Sequence, residues 1–294
     1  MATTFRSQLS VPTFRWLGVN GTERILPAQQ SENVTISGQT DTVRLDVSED
    51  AAYIVTGGQT VIMDIHAAQA YLQTHLQADA GEKIRLVQLF HGDTVCSRLT
   101  ADLDDLAEVE LVQIYLRGSD TVSDTEVHMN GRKSAFTSHI GYLQDEESHL
   151  DINLNMIQCG KKSVSDIDVR GVLRDCAQKI FRGTIDFQKG ASGASGAERE
   201  DVLLTDETVI NKTVPVILCA EEDVSGTHGA TIGQLDARAV FYLQSRGIPE
   251  AEIRELIART KLGGIIRHIC DAETERTVWR LLGREDADAT ESES

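Results

Sequence analysis

The chain of 294 residues carries 46 acidic and 28 basic side chains, which gives a formal net charge of −18 at pH 7. This length can bury a hydrophobic core in one large domain or in two modest ones. A strongly acidic surface repels polyanions, which argues against nucleic acid or an anionic membrane as a partner. No run of about 18 apolar residues occurs, so the sequence predicts no transmembrane helix.

The N-terminus and the cysteines indicate the compartment. Residues 1–17 lack the apolar stretch that a signal peptide requires. No two of the five cysteines are closer than 17 residues, a spacing that fits neither a disulfide framework nor a CxxC metal motif. We therefore expect a cytoplasmic protein whose thiols stay reduced.

An N-terminal segment at 1–32 is followed, at 33–234, by short runs rich in β-branched residues and separated by polar turns. Apolar and polar residues alternate in most runs, which is the period of a strand with one buried face. The clearest runs are 34–36, 43–47, 84–89, 108–116, 149–157, 165–170 and 181–187. Turns are predicted at Gly57-Gly58, Asn130-Gly131 and Cys159-Gly160.

One segment departs from this pattern. Residues 62–79 place Ile62, Ile65, Ala68 and Leu72 at helical spacing, which predicts a helix between the strands. Many short strands suit a sandwich, a barrel or a β-solenoid, and no repeat of fixed length chooses among them. Sharp polar corners and an aromatic content of only 5% favour the solenoid slightly.

The pattern becomes helical over residues 235–283. Asp236 is placed to cap a helix over 237–245, and Gly247 to stop it. Pro249 then suits the first position of a second helix.

The second helix carries an apolar stripe through Thr260, and Gly263-Gly264 is expected to end it. A last helical segment is expected from Ile265 to Leu282. The acidic tail at 284–294 has no apolar anchor, so it is expected to be disordered.

His228 is the most conspicuous candidate for a functional side chain. Gly226 and Gly229 leave its imidazole sterically open, and three acidic residues lie shortly upstream at 221–223. A neutral imidazole is a good ligand for iron or zinc, although a histidine that serves only a turn fits the same pattern. The chain has no Walker A loop, dinucleotide fingerprint, nucleophile elbow or His-Glu-x-x-His pair, so no enzyme is predicted.

Two blocks, at residues 227–236 and 241–248, resemble the C-terminal signature of the SufB/SufD family of the SUF iron–sulfur cluster assembly system. They read Thr-His-Gly-Ala-Thr-Ile-Gly-Gln-Leu-Asp and Phe-Tyr-Leu-Gln-Ser-Arg-Gly-Ile. Residues 169–175 and 181–185 resemble the family's preceding region, and residues 11–20 resemble its N-terminal segment. The resemblance is strong over 163–257 and thin over 31–148.

This resemblance implies a mainly β fold, with a right-handed parallel β-helix core at 33–234 and a small C-terminal helical domain at 235–283. It also implies a non-enzymatic scaffold subunit that pairs with a SufB-like subunit, while its helical domain docks a SufC-like ATPase. No cofactor bound tightly by this chain alone is expected, although a transient iron–sulfur cluster fits within such a complex.

The resemblance also implies roles for particular residues. His228 matches a histidine implicated in cluster assembly at the subunit interface, and it becomes a candidate metal ligand there. The candidate contacts to the ATPase are Phe241, Tyr242, Arg246, Ile253 and Ile257, because aromatic residues and arginine dominate interface energetics. Packing of the helices on the β-helix is the alternative role for each of them.

Two features favour a SufD-like member over a SufB-like one. Gly229 stands where SufB usually has glutamate, and Val209-Ile210-Asn211 occupies the neighbourhood of SufB's cluster-associated cysteine. A homomeric SufB-like cluster scaffold, with the chain as a homodimer, and a carbohydrate-active β-helix enzyme are the alternatives.

Overall fold

The computed structural model describes residues 3–13, 15–26, 31–38, 42–116 and 120–283, so the predicted acidic tail at 284–294 lies outside the described residues. The core consists of two eight-stranded parallel sheets, and the chain alternates between them strand by strand. The first, called here the odd sheet, contains β3 (Asn33–Ser37), β5 (Ala51–Thr56), β7 (Gln69–Ala78), β9 (Thr94–Leu103), β11 (Asp120–Met129), β13 (His149–Gln158), β15 (Gln178–Phe187) and β17 (Ile210–Cys219).

The second, the even sheet, contains β4 (Thr42–Val47), β6 (Thr60–Ile65), β8 (Lys83–Phe90), β10 (Glu108–Tyr115), β12 (Ala135–Gln144), β14 (Val164–Leu173), β16 (Ala194–Leu204) and β18 (Val224–Gln234). Each strand pairs with the strand two places along the chain, which is the topology of a parallel β-solenoid. The β-helix predicted from the family resemblance is therefore confirmed. Side chains from both sheets meet inside it in a large hydrophobic core, and Ile185 and Phe187 belong to a second, smaller cluster.

The coils of the solenoid grow longer along the chain. In the even sheet Lys83 pairs with Glu108 and Glu108 with Ala135, which are steps of 25 and 27 residues. Ala135 then pairs with Val164, and Val164 with Ser195, which are steps of 29 and 31 residues. Because the period drifts, the sequence shows no repeat of fixed length even though the structure repeats.

Several corners between the strands contain a non-glycine residue in the left-handed region. Leu106, Lys133 and Lys162 have φ of 63°, 58° and 59°, a conformation that costs an L-residue about 1–2 kcal/mol. The backbone N–H of Leu106 donates to the carbonyl of Arg132 at 3.0 Å, and that of Lys133 donates to Lys161 at 2.8 Å. Each bond joins a corner to the corner of the next coil, so the ladder continues through the bends and offsets the strain.

The helix predicted over residues 62–79 is wrong. The segment forms the end of β6 and all of β7, joined by a short turn at 66–68. Val61, Met63 and Ile65 point into the solenoid and are fully buried, and Ile62 is buried on the outer face beneath the C-terminal helices. A strand covered on both faces has apolar residues at every position, and such a run imitates helical spacing.

Three helices follow the solenoid: α1 (Ala237–Ser245), α2 (Glu250–Ile266) and α3 (Ala272–Leu281). The predicted cap of α1 is confirmed, because a side-chain oxygen of Asp236 accepts the N–H of Arg238 at 2.9 Å. The predicted stop is also confirmed: Gly247 has φ of 87°, and its N–H donates to the carbonyl of Gln244.

The predicted break at Gly263-Gly264 is wrong, because α2 continues through both glycines to Ile266. A Cβ on Gly264 would lie 2.5 Å from Nη1 of Arg170 in β14, so this glycine allows the helix to approach the sheet closely. Apolar residues around the glycines hold the helix there: Leu262, Ile265 and Ile266 are fully buried. Tertiary packing therefore outweighs the poor helix propensity of the two glycines.

The helices α2 and α3 lie on the outer face of the even sheet. Ala258, Leu262 and Val278 belong to one buried cluster with outward-facing strand residues such as Val112 and Val172. The antiparallel hairpin of β1 (Thr3–Gln8) and β2 (Gly21–Leu26) covers the outer face of the odd sheet instead. None of the described helices is both long and apolar enough to cross a membrane.

Candidate functional site at the last coil

The last coil, formed by β17 and β18, ends the solenoid at its C-terminal side. Each strand is the terminal member of its sheet and pairs with a neighbour on one edge only. In a parallel β-helix the inward side chains of one coil are normally covered by the next coil, and no described segment covers this one. Ile232, which faces inward by its register with Val202, is 54% exposed as a result. The coil therefore presents both an apolar surface and unpaired backbone groups.

His228 lies in the middle of this uncovered strand. It is the Cα partner of Glu198 in β16, so its side chain leaves β18 on the same side as that of Glu198, toward the solenoid interior. Cys219 is the partner of Phe187 and points inward from β17 in the same way. Both His228 and Cys219 are exposed, because they belong to the terminal coil.

Directly behind this coil, the interior contains a cluster of charged side chains. Lys179 and Glu200 form an ion pair with both side chains fully buried. Lys179 also donates to Oγ1 of Thr213 at 3.2 Å, and the Thr213 hydroxyl donates to Glu200 at 2.6 Å. The hydroxyl of Tyr142 donates to Glu200 at 3.3 Å. Glu200 is thus fully engaged, which compensates for the desolvation of its charge.

Glu198 is the second acid of the cluster and is 2% exposed. Its carboxylate lies over Gly183, where a Cβ would come within 2.0 Å of Oε2, so a larger residue at 183 would occupy its place. Burial, and then the charge of Glu200, raise the pKa of Glu198 to about 8, against the opposing effect of Lys179. Burial also lowers the pKa of Lys179, although Glu200 opposes that shift.

Near neutral pH this cluster therefore holds an ion pair and a protonated carboxylic acid. Glu198 thus keeps a proton that a glutamate in water would have lost at this pH, and it lies on the strand next to His228. Lys179, Glu198 and Glu200 are not among the functional residues predicted from the sequence. The run Glu198-Arg199-Glu200-Asp201 reads as a solvated strand, and only the register shows that alternate residues point inward.

The residues predicted to contact an ATPase fall into two groups. On α1, Phe241 and Tyr242 are 72% and 55% exposed, and the guanidinium of Arg246 lies 5.2 Å above the Tyr242 ring. On α2, Ile253 is fully buried and Ile257 is partly buried. The structure thus exposes the α1 residues, whereas Ile253 packs inside the protein.

A metal ion needs several donor atoms close together. Within the part of the chain that the structure describes, one group of three histidine or carboxylate side chains meets this condition, and it consists of Glu110, His139 and His268. His228 does not belong to it. Among the described residues, His228 thus has no such group of donors around it.

The fold and the site define a class: a parallel β-helix whose last coil is uncovered and whose helices pack along one sheet. The family model described as "SUF system FeS cluster assembly, SufBD core domain" matches residues 29–260, which is most of the chain. The protein belongs to this family, as the resemblance in its sequence predicted.

Individual relatives are more distant. The chain is similar to the iron–sulfur cluster assembly protein SufD of Bacillus subtilis, with 27% identity over 55% of this chain and 37% of that protein. A SufBD family protein of Mycobacterium bovis is 31% identical over 39% of this chain and 14% of its own length. A second M. bovis protein of the family is 24% identical over 81% of this chain and 70% of its own length. The chain thus spans well under half of the first two relatives.

Proposed function

We propose that this chain is a non-enzymatic scaffold subunit of a SUF-type assembly complex, and that its last coil pairs with a SufB-like subunit. The observation that carries the proposal is the uncovered coil of β17 and β18, with His228 exposed on its inward face. Edge strands with free N–H and C=O groups add readily to a strand of another chain. Pairing there would cover Ile232 and bring His228 to the interface.

At such an interface His228 would act on a nascent iron–sulfur cluster, which is the cargo of the complex. A neutral imidazole can ligate iron or accept a proton, and the remaining ligands would come from the partner. The SufD-like assignment rests on the identity to the B. subtilis protein together with Gly229 in place of glutamate. The same role places the protein in the cytoplasm.

A SufC-like ATPase would dock on α1. Phe241 and Tyr242 form an exposed aromatic pair beside Arg246, and such a combination supplies much of the binding energy in protein interfaces. Ile257 would contribute at the edge of this surface, while Ile253 would support α2 from beneath.

Two alternative functions have less support than the scaffold role. A carbohydrate-active enzyme needs acidic residues free to act in an open groove, whereas Glu198 and Glu200 are each only 2% exposed inside the solenoid. The acids that line an open groove, Glu108 and Glu110, are paired with Lys83 and Arg85. A homomeric scaffold would use the same uncovered coil against a second copy of the chain. It differs from the main proposal only in its partner, so the same experiment separates the two.

The test is co-purification of the tagged full-length chain with SufB-like and SufC-like proteins under anaerobic conditions. We expect a complex containing all three, and loss of the ATPase alone when Phe241 and Tyr242 are both changed to serine. His228→Ala should leave the complex intact but reduce cluster formation, read by visible absorbance after iron and sulfide are supplied. The matched control is His128→Ala on β11, which should assemble clusters normally.

Two outcomes would contradict the proposal. Absence of a complex with either partner, with and without oxygen, would exclude the scaffold role. A stable homodimer that assembles a cluster without a SufB-like subunit would replace it with the homomeric alternative.

A further inference from the structure

A second group of candidate ligands lies far from the last coil, where the helices meet the even sheet. Glu110 on β10 and His139 on β12 face outward on neighbouring strands, and His268 belongs to the loop between α2 and α3. Oε1 of Glu110 lies 3.8 Å from Nε2 of His139 and 3.9 Å from Nδ1 of His268. Three donor atoms from three separate elements thus converge on one point.

The donor set suits a divalent transition metal. Two imidazoles and one carboxylate are common ligands of Zn²⁺, with bond lengths of about 2.0–2.2 Å. A tetrahedral ion would place neighbouring donors about 3.4 Å apart, so each distance from Glu110 would shorten by about half an ångström. The three donor atoms all lie within 4.8 Å of one another, as a shared ion requires.

Two features show how the histidine side chains can rearrange to bind an ion. The rings of His139 and His268 are stacked, with centroids 3.6 Å apart and planes 16° from parallel, so one ring has to turn before both can point at an ion. The side chain of His268 is 43% exposed and that of His139 only 13%, so His268 is the one with room to rotate.

The carboxylate is already oriented by another contact. Nη1 of Arg85 on β8 lies 3.3 Å from Oε2 of Glu110, which leaves Oε1 directed at both histidines. A partner that binds one oxygen and orients the other is a common outer-shell feature of metal sites.

The three side chains border an open groove of about 710 Å³. The groove continues along the N-terminal ends of β6, β8, β10 and β12 and passes Thr60, Lys83 and Thr137. An ion held by three protein donors on this border would keep a coordination position toward the groove, available to water or an anion.

We propose that Glu110, His139 and His268 form a binding site for one Zn²⁺ ion, which ties the loop between α2 and α3 to strands β10 and β12. The site is independent of His228 and of any partner subunit. Its effect is to fasten the C-terminal helices to the solenoid and to leave one coordination position open to the groove.

The test uses the untagged full-length chain after removal of metal with a chelator. Zn²⁺ titration by calorimetry should show one site, and zinc should raise the unfolding temperature. His268→Ala should weaken binding at least about 100-fold, since it removes a direct ligand, and Glu110→Gln should weaken it as well. Because His268 is half exposed on a loop, its loss should leave the far-ultraviolet circular dichroism unchanged.

The control is His128→Ala, which removes a histidine that contacts the single carboxylate of Glu126 at 2.9 Å on the other sheet. It should bind zinc like the unaltered chain. Exposed Cys270 lies close to His268 in sequence, so Co²⁺ spectra provide a second reading. Unchanged zinc affinity in His268→Ala, or a thiolate-to-cobalt charge-transfer band, would overturn the proposal.

Discussion

At the scale of single residues, the interior of the solenoid changes the chemistry of its acids. Glu198 and Glu200 stand two positions apart on β16, so both point inward, and one lysine serves them both. Glu200 forms the ion pair with Lys179, whereas Glu198 makes no ion pair of its own among the described residues and its Oε2 makes no hydrogen bond there. In the folded protein the protonated form of Glu198 therefore has a lower free energy than the ionised form.

This arrangement predicts a pH-dependent stability. The pKa of Glu198 is raised from 4.5 to about 8, so between these pH values the folded chain holds a proton that the unfolded chain has lost. The free energy of unfolding should fall as the pH rises through this range. Glu198→Gln removes this loss, so its free energy of unfolding should fall by about 3–4 kcal/mol less between pH 5 and pH 8 than that of the unaltered chain.

Urea unfolding of both proteins at pH 5, 7 and 8 measures the difference. Glu147→Gln, at an exposed corner, serves as the control and should keep the pH dependence of the unaltered chain. A Glu198→Gln protein with the same pH dependence as the original would show that Glu198 ionises normally.

At the scale of elements, the two wrong sequence predictions both involve the contact between the C-terminal helices and the even sheet. The β6 part of the 62–79 segment and Gly263-Gly264 lie at this contact, whereas β7 belongs to the odd sheet. Burial on the second face of β6 removed the alternation that marks a strand. The close packing of α2 on the even sheet lets the helix continue through the two glycines, where their low helix propensity predicted that it would end.

The two glycines of α2 should respond differently to alanine. A Cβ on Gly263 would meet only the Trp279 ring at 3.7 Å, an ordinary contact. Gly263→Ala should therefore gain the helix propensity of alanine, about 1 kcal/mol. Gly264→Ala should gain less or lose stability, because its Cβ would displace the Arg170 guanidinium from Asp168, with which it forms an ion pair at 2.9 Å.

Chemical unfolding of the two variants tests this order directly, and each glycine is the control for the other. Equal stabilisation by both alanines would mean that the close approach of α2 to β14 does not constrain the helix.

At the scale of the whole molecule, a buried ion pair of the solenoid anchors the N-terminal hairpin. Arg182 on β15 and Asp151 on β13 form a buried pair on the outer face of the odd sheet. Arg182 also donates to Oγ of Ser7 at 3.0 Å and to the carbonyl of Val19 at 3.3 Å, while the hydroxyl of Thr22 donates to Asp151. The pair thus binds both strands of the hairpin, at the end where the loop joins them.

Arg182→Met should destabilise the protein by about 3 kcal/mol, because it leaves the Asp151 charge buried without its partner. The double variant Arg182→Met with Asp151→Asn should recover part of this loss, since the unpaired charge is gone. Arg199→Met breaks an exposed pair with Asp166 and should cost less than about 1 kcal/mol. Thermal unfolding measures all three, and limited proteolysis should cut near the hairpin first in Arg182→Met. Equal losses in the single and double variants would contradict this account.

Much of the strand and helix pattern followed from the sequence. The predicted runs at 84–89, 108–116 and 149–157 lie within one residue of observed strands, and the cap at Asp236 is correct, because alternation and capping are local properties. The choice of a solenoid over a sandwich or barrel came from the family resemblance, since the lengthening coils concealed the repeat.

The chemistry of the interior depended on the tertiary structure. The sequence by itself determined the strand-forming runs, the helix limits at Asp236 and Gly247, and the family. Only the fold decided that Lys179, Glu198 and Glu200 share one buried space, that His228 lies on an uncovered coil, and that Glu110, His139 and His268 converge. These groupings join residues that are up to 158 positions apart, as Glu110 and His268 are. Their proximity is set by strand register and helix packing, which no local pattern in the sequence encodes.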